Sequence, residues 1–131
     1  MYLLDTHVLF WWTTEPARLA PAQRRALNHA EASNVRLAIS AISLWELAML
    51  AKRGRIELPG PMDIWLGELE ADPAIAVFTI TGRVAFEAVQ FSSGFPADPA
   101  DRIIAATAIC HGLTLVTADR RIRDAGEVAV L

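Results

Sequence analysis

The fold is decided near the amino terminus by the stretch YLLDTH, residues 2–7. Tyr2 to Leu4 is apolar and does not alternate with polar residues, which is typical of a short strand buried on both faces. From His7 to Trp12 the chain is again apolar without alternation, and this favours a helix directly after the strand. We therefore expect Asp5 at the carboxyl end of a buried strand.

The bulk composition favours one compact domain. The chain has 131 residues, of which 53% are hydrophobic, enough for one covered core but not for two. We therefore expect residues 1–131 to form a single domain. No run approaches the roughly 18 uncharged apolar residues of a membrane span, and Asp5 interrupts the amino terminus before a signal-peptide core can form. We expect a soluble, cytoplasmic protein that does not enter the membrane.

The charged residues and the cysteine limit the function further. The formal net charge is −3, which is unusual for a protein that binds nucleic acid through phosphate neutralisation alone. Cys110 is the one cysteine, so an internal disulfide and a cysteine-rich zinc site are both excluded. If the substrate is RNA, positive charge must come from another source.

Apolar segments and helical segments alternate along the whole chain. Strands are predicted at Tyr2–Leu4, Val35–Ile39, Ile75–Ile80, Leu113–Thr117 and Val128–Leu131. Further helices are predicted at Pro21–Ala32, Ser43–Arg53, Pro61–Ala71, Thr81–Phe91 and Pro99–His111. This order predicts an α/β fold of three layers, a parallel five-stranded sheet with helices on both faces. Such sheets carry their functional sites beyond the carboxyl ends of the strands.

Acidic residues occupy comparable places in this scheme. They are Asp5 after the first strand, Glu46 in the helix after the second, Asp101 at the start of the last long helix, Asp119 after the fourth strand, and Asp98 beside Asp101. Like charges brought together oppose folding unless a cation neutralises them, so at least one pKa should be raised. Oxygen ligands of this kind suit Mg²⁺ or Mn²⁺. Such ions can activate water for phosphodiester cleavage without a Ser, Cys or His nucleophile.

A purely structural interpretation of the same acids is helix capping. The segment Ser43-x-x-Glu46 has the form of a capping box, and Asp98-Pro99-Ala100-Asp101 resembles one with proline at the first helical position. Asp5 and Asp119 can be helix N-caps in the same way. Taken one at a time, capping is the better interpretation, and only the coincidence of all the acids favours a metal site.

Aromatic residues and His7 also admit two interpretations. The four tryptophans could stack on bases, but Trp11, Trp12, Trp45 and Trp65 all lie in apolar helical stretches, which favours core packing or a subunit contact. His7 could belong to the site, although a structural or supporting role is favoured. The excess of large apolar residues in the Ser43–Arg53 helix and around Trp65 predicts a homodimer.

Four segments together resemble the motifs of VapC-type PIN-domain toxins. They are Leu3-Leu4-Asp5-Thr6-His7, Ser43-Leu44-Trp45-Glu46-Leu47, Asp98-Pro99-Ala100-Asp101-Arg102-Ile103-Ile104-Ala105-Ala106-Thr107-Ala108 and Leu115-Val116-Thr117-Ala118-Asp119. The resemblance spans almost the whole chain in order. It implies a PIN fold, Mg²⁺- or Mn²⁺-dependent endoribonuclease activity on RNA, a homodimer, and inhibition by a cognate antitoxin.

The resemblance also implies roles for individual residues. By position, Asp5, Glu46, Asp101 and Asp119 look like the catalytic, metal-binding acids, Asp98 like a further acid of the metal site, and Thr6, Ser43 and Thr117 like polar neighbours. Many relatives carry a histidine shortly before the Asp98 segment, where this chain has Phe95-Pro96-Ala97. That difference puts a substrate-positioning role of the loop in doubt.

Other classes of protein are less compatible with the sequence. A receiver domain would need a lysine near the last strand, and the one lysine is Lys52. A haloacid-dehalogenase-like phosphatase would carry D-x-D where this chain has Asp5-Thr6-His7. The remaining alternative is a catalytically inactive PIN-like module that binds RNA or protein and keeps its acids as caps or as a weak metal site.

Overall fold

The segment from residue 2 to residue 14 forms the predicted strand and helix at the centre of the molecule. The structure is a computed structural model that describes residues 1–131. Strand β1 (Tyr2–Leu4) ends at Asp5, and helix α1 (Thr6–Thr14) begins at the next residue. Leu3 and Leu4 are both fully buried. An apolar run without alternation is therefore what this position requires.

The sheet has four parallel strands in the order β3-β2-β1-β4. Leu3 pairs with Ala38 on one side and with Leu115 on the other. The strands after β1 are β2 (Leu37–Ser40), β3 (Ile75–Phe78) and β4 (Thr114–Val116). The predicted parallel sheet is confirmed, and the strands after β1 are one or two residues shorter than expected.

The prediction of a fifth strand at Val128–Leu131 is wrong. Only Val130 comes into register there, as an isolated parallel bridge to Leu115. The backbone N–H of Leu115 donates to Ala129 O, and that of Leu131 donates to Leu115 O. One paired residue does not make a ladder, so the apolar character of this segment reflects packing beside β4.

Helices connect the strands and cover both faces of the sheet. After α1 they are α2 (Pro21–Ala32), α3 (Ala41–Lys52), α4 (Met62–Ala71), α5 (Gly82–Ala88), α6 (Pro99–His111) and α7 (Arg120–Ala125), with a 3-10 turn at Pro16–Arg18. Helices α2 and α6 have the predicted bounds. Helix α5 is shorter than predicted, because Thr81 caps it and Val89 ends it. Helix α7 was not predicted.

The predicted capping box at Ser43 is wrong. Helix α3 begins at Ala41, directly after β2, and its N-cap is Ser40, whose hydroxyl oxygen accepts from the N–H of Ile42 at 3.3 Å. Ser43 is instead a buried residue inside the helix. Its hydroxyl is thereby free for a different contact, described below.

The core is divided by the sheet into two layers. Leu4 belongs to one hydrophobic cluster with residues of α1 and α2, whereas Leu3 belongs to another cluster with residues of α6 and β4. Neighbouring residues of a strand point to opposite faces, so two successive leucines can fill two cores. Each buried leucine stabilises the fold by about 1.5–3 kcal/mol. The predicted arrangement of three layers is confirmed.

Because all strands are parallel, their carboxyl ends meet at one edge of the sheet. Asp5 follows β1, Ser40 is the last residue of β2, and Thr117 follows β4. This edge is where α1, α3 and α7 begin. No helix of the structure has the length and apolar character needed to cross a membrane.

Candidate active site

Asp5 is the most deeply buried acid of the site. Only 7% of the residue is exposed. One carboxylate oxygen, Oδ1, accepts from the N–H of Thr6 at 2.8 Å and caps α1. The other, Oδ2, accepts from the hydroxyl of Thr117 at 2.7 Å. Burial raises the pKa of the Asp5 carboxyl, although these two hydrogen bonds partly oppose the rise.

Thr117 joins two of the predicted acids. Its hydroxyl donates to Asp5 and accepts from the backbone N–H of Asp119 at 3.0 Å. The carbonyl of Thr117 accepts from the side-chain amide of Gln23 at 2.9 Å, and Gln23 also donates to the carbonyl of Leu131 at 3.1 Å. Gln23 was missed in the sequence, because nothing local distinguishes a buried glutamine that packs against the end of a distant strand.

Glu46 lies on the inner part of α3, beside the start of α1. The hydroxyl of Thr6 donates to Ser43 Oγ at 3.1 Å, which ties the first turn of α1 to α3. Burial raises the pKa of Glu46, the hydroxyl of Thr6 lowers it in part, and the charges of Asp5 and Asp98 raise it further. Thr6 and Ser43 therefore hold the two helices that carry Asp5 and Glu46.

Asp98 and Asp101 lie at the start of α6 and have different surroundings. Asp98 is the N-cap, and its Oδ1 accepts from the N–H of Ala100 at 2.8 Å. The capping interpretation of Asp98 is thus confirmed. Asp101 is half-buried and accepts no hydrogen bond of this kind. Burial, followed by repulsion from the other site carboxylates, raises the pKa of Asp101 to about 7.

Asp119 is the one site acid whose pKa is lowered. It is the N-cap of α7, and Oδ1 accepts from the N–H of Arg121 at 2.9 Å. The guanidinium of Arg121 also donates to both carboxylate oxygens, from Nε at 3.2 Å and from Nη2 at 2.8 Å. These contacts with Arg121 hold the pKa of Asp119 below its usual range.

The fold thus brings the predicted acids to one edge of the sheet. Asp101 experiences the charges of Asp5, Asp98, Glu46 and Asp119. No three His, Cys, Asp or Glu side chains, however, are arranged so that they could hold a metal ion by themselves. A site with one or two carboxylate ligands still fits Mg²⁺, which keeps several waters and shares its remaining positions with substrate phosphates. The role of each acid as a ligand stays a prediction.

The comparison with known families agrees with the geometry. The model of the PIN domain matches residues 2–128. The chain belongs to the PIN-domain family. A curated relative, Ribonuclease VapC22 of Mycobacterium tuberculosis, is 50% identical over 122 residues, which cover 93% of this chain and 89% of the relative. The resemblance to VapC-type PIN domains is confirmed.

Solved structures have the same fold. One similar chain comes from the crystal structure of VapBC2 from Rickettsia felis bound to a DNA fragment from the VapBC2 promoter. It has a TM-score of 0.71 and 18% identity to this protein, and the match covers 99% of this chain and 96% of that chain. A toxin-antitoxin complex from Klebsiella pneumoniae contains a second similar chain, with a TM-score of 0.68 and 23% identity. This match covers 100% of this chain and 96% of that chain. The PIN fold therefore extends over the whole chain.

Contacts within the protein hold the loop before α6, where the sequence has Phe95-Pro96-Ala97. Phe95 is buried and stacks on Phe91 with ring centres 4.2 Å apart. The guanidinium of Arg102 donates to the carbonyls of Phe91, Ser92, Phe95 and Pro96. This loop is thus held by core packing and by Arg102. The sequence showed Arg102 only as part of a motif, without its role.

A cavity of about 620 Å³ lies beside α1. Its wall includes His7, Trp11, Arg18 and Arg55. The His7 and Trp11 rings lie 6.0 Å apart, and the Arg18 guanidinium lies 4.9 Å from the Trp11 ring centre. His7 is near enough to Asp5 and Glu46 for its charge to affect both. None of the acids of the site lines the cavity, and His7 is the wall residue that relates it to them.

Proposed function

We propose that this PIN domain is a divalent-metal-dependent endoribonuclease and the toxin of a toxin-antitoxin pair. The proposal depends on the clustering of three acids, Asp5, Glu46 and Asp101, that have raised pKa values and no basic partner. Burial, together with repulsion from other carboxylates of the site, raises all three pKa values, and none of the three carboxylates is paired with a basic side chain. Perturbed acids of this kind are typical of functional sites. The similarity to a ribonuclease supports RNA as the substrate.

The residues of the chain have distinct roles in this proposal. Thr117 orients the Asp5 carboxylate, and the Thr6–Ser43 contact positions Glu46 relative to it. Asp101, without a hydrogen bond of its own, is free to take a ligand. When bound to these acids, Mg²⁺ or Mn²⁺ supplies a Lewis acid for phosphate oxygens and makes a bound water more acidic. The cation would also add positive charge for binding RNA, because the protein itself has a net charge of −3.

RNA cleavage in Mg²⁺, in Mn²⁺ and in excess EDTA tests the proposal. We expect cleavage with either metal and none with EDTA. Asp5→Asn and Asp101→Asn should lower the rate by about a hundredfold or more, because several kcal/mol of transition-state stabilisation depend on the metal. Asp63→Asn, an exposed acid in the first turn of α4, is the matched control and should cleave normally. Full activity in EDTA would refute the metal dependence.

The alternative, an inactive PIN-like module, gives a different result in the same assay. It would bind RNA or protein without any metal-dependent cleavage. Melting curves with added Mg²⁺ then show whether the acids bind metal at all, because a ligand of the native state raises the melting temperature. RNA that stays intact at every metal concentration would favour this alternative.

We further propose that an antitoxin segment occupies the cavity beside His7 and reaches the carboxylates. The toxin-antitoxin complex with the same fold supports such a partner. An arginine of that segment, offered to Asp5 and Asp101, would match the carboxylates with two parallel hydrogen bonds. Co-expression with the product of a neighbouring small gene should yield a complex without RNA cleavage. A product that neither copurifies nor inhibits would count against this partner.

A homodimer is also proposed from the exposed apolar residues. Trp45 on α3 is 57% exposed, so it does not belong to the core. Ile64 on α4 and Phe86 and Val89 at the end of α5 are also exposed. Exposed apolar residues mark a contact surface where they form a contiguous patch. Sedimentation equilibrium at micromolar concentration should give twice the mass of the chain, and a monomer mass would refute the dimer.

A further inference from the structure

Arg121 is the only basic side chain that forms an ion pair with an acid of the site. It donates two hydrogen bonds to the two carboxylate oxygens of Asp119. The only other ion pair of the structure, between Arg18 and Glu15, involves none of these acids. A guanidinium that holds both oxygens of Asp119 occupies the positions that a metal ion would use on this residue.

The pair lies at the protein surface, where Arg121 is open to solvent. The side chain of Arg121 is 72% exposed and that of Asp119 is 23% exposed. Exposed ion pairs are weak, because water screens the charges and long side chains lose freedom when they are held. The negative charges of Asp98 and Asp101 also act on Arg121. A cation is therefore attracted to this place, but Arg121 is not locked there.

We propose that Arg121 is a ligand for a phosphate of the RNA, and that Asp119 holds it at the site until a divalent cation takes its place. The inference rests on the proposed nuclease function. A metal ion on Asp119 and the guanidinium of Arg121 compete for the same oxygens. Once displaced, the guanidinium remains beside the site, and its planar fork matches a phosphate as well as it matches a carboxylate.

Two variants isolate this role from a general change of charge. Arg121→Gln removes the cation and the fork. Arg120→Gln removes the same charge from the neighbouring residue, which is exposed and forms no ion pair with Asp119. Both positions lie in the first turn of α7 on the surface. We expect both variants to fold, and melting curves check this.

The experiment measures metal binding and RNA binding separately. Calorimetric titration with Mg²⁺ in the absence of RNA should show that Arg121→Gln binds the ion about two- to fivefold more tightly than wild type, because the competing guanidinium is gone.

The RNA affinity is measured by the fluorescence anisotropy of a fluorescein-labelled single-stranded RNA in Ca²⁺, after a check that Ca²⁺ does not support cleavage. Arg121→Gln should bind this RNA about three- to tenfold more weakly, with a salt dependence reduced by about one counterion. Arg120→Gln should leave the Mg²⁺ affinity unchanged.

Opposite effects on the two affinities are the signature of the inference. An unchanged Mg²⁺ affinity in Arg121→Gln would overturn it, as would an RNA affinity equal to that of Arg120→Gln. If wild type cleaves RNA and the two variants behave alike, this inference fails and the proposed function stands. If no RNA is cleaved but the opposite effects occur, the proposed function fails and the role of Arg121 stands.

Discussion

The acids of the site divide into a buried half and an exposed half that have opposite electrostatics. The buried half consists of Asp5, Glu46 and Asp101, whose pKa values are raised by burial and repulsion. The exposed half is Asp119 with Arg121, where contact with the guanidinium lowers the pKa of the acid. Residues of the same chemical type, at the same edge of one sheet, therefore differ in their readiness to bind a cation.

The comparison shows that burial and partners determine the properties of a carboxylate more than its motif does. The buried half retains negative charge that no basic side chain of the protein neutralises, so the rest of the fold must stabilise it. The exposed half is already neutralised by Arg121. In the metal-free protein we expect the buried half to destabilise the fold. The exposed half should be nearly neutral in its effect on stability.

Thr117→Val should give the largest change in stability, because this hydroxyl connects the two halves. The variant keeps the shape of the side chain but removes the donor to Asp5 and the acceptor of the Asp119 N–H. We expect a loss of about 2–3 kcal/mol in the free energy of unfolding, since a buried charged group loses its partner. Urea denaturation measures it.

Thr107→Val is the control for this variant. Thr107 is equally buried, but its hydroxyl donates only to the Ile103 carbonyl of its own helix, at 2.7 Å. Thr107→Val should lose clearly less free energy of unfolding than Thr117→Val, because the hydroxyl of Thr107 does not contact a charged group. Equal losses in the two variants would show that the hydroxyl of Thr117 has no special connection with the acids.

The pH dependence of stability should follow the buried half. An acid whose pKa is raised in the folded state stabilises the fold below its unfolded pKa, near 4, and loses that contribution as the pH rises through its folded pKa. For Asp101, with a pKa of about 7, the free energy of unfolding should fall by about 1–2 kcal/mol between about pH 4 and pH 7. This change in the free energy of unfolding is smaller than the full pKa shift of Asp101 would imply, because water screens the charge of a half-buried group.

Asp101→Asn should flatten this part of the pH profile. We expect the free energy of unfolding of the variant to increase relative to that of wild type as the pH rises. The difference should be largest above about pH 7, where wild-type Asp101 is ionised. Chemical denaturation at a series of pH values, without metal, provides the measurement. Parallel profiles for the two proteins would mean that Asp101 does not carry the raised pKa.

Asp98 should give the smallest effect, because it is a helix cap that also adds charge to the buried half. Asp98→Ala should cost about 1 kcal/mol with or without Mg²⁺, whereas Asp98→Asn should keep most of the stability, since asparagine caps a helix as well as aspartate. The Asn variant should also lower the pKa of Asp101, because it removes one of the repelling charges. Thermal melts compare the stabilities, and NMR titration of Asp101 follows the pKa. A stable Ala variant would contradict the capping role.

Local signals explain which parts of the fold were predictable. Helices α2 and α6 each begin at a proline, Pro21 and Pro99, and their bounds were predicted correctly. The N-cap of α3 was predicted three residues late, because Ser40 and Ser43 are both acceptable caps in the sequence. The choice between them depends on where β2 ends. The fifth strand was predicted from apolar character alone, and strand pairing is not a local property.

The placement of the acids at one edge of the sheet was predictable from the sequence, whereas their contacts were not. Parallel strands bring their carboxyl ends to one edge, so Asp5, Glu46, Asp101 and Asp119 could be assigned to it from their positions. Their different pKa shifts depend on side-chain packing, which the sequence does not show. The Arg121–Asp119 contact spans only two residues. Even so, no pattern of residue types distinguished Arg121 from Arg120.

The most direct test of the metal site is a pair of melting curves for wild type and Asp101→Asn above about pH 7, each in EDTA and in Mg²⁺. If the buried half is a cation site, the Asn variant melts at the same or a higher temperature than wild type in EDTA, because one repelling charge has been removed. Mg²⁺ then raises the melting temperature of wild type more than that of the variant. An Asn variant that melts lower in EDTA, with neither protein responding to Mg²⁺, would contradict the account and leave these carboxylates as structural residues alone.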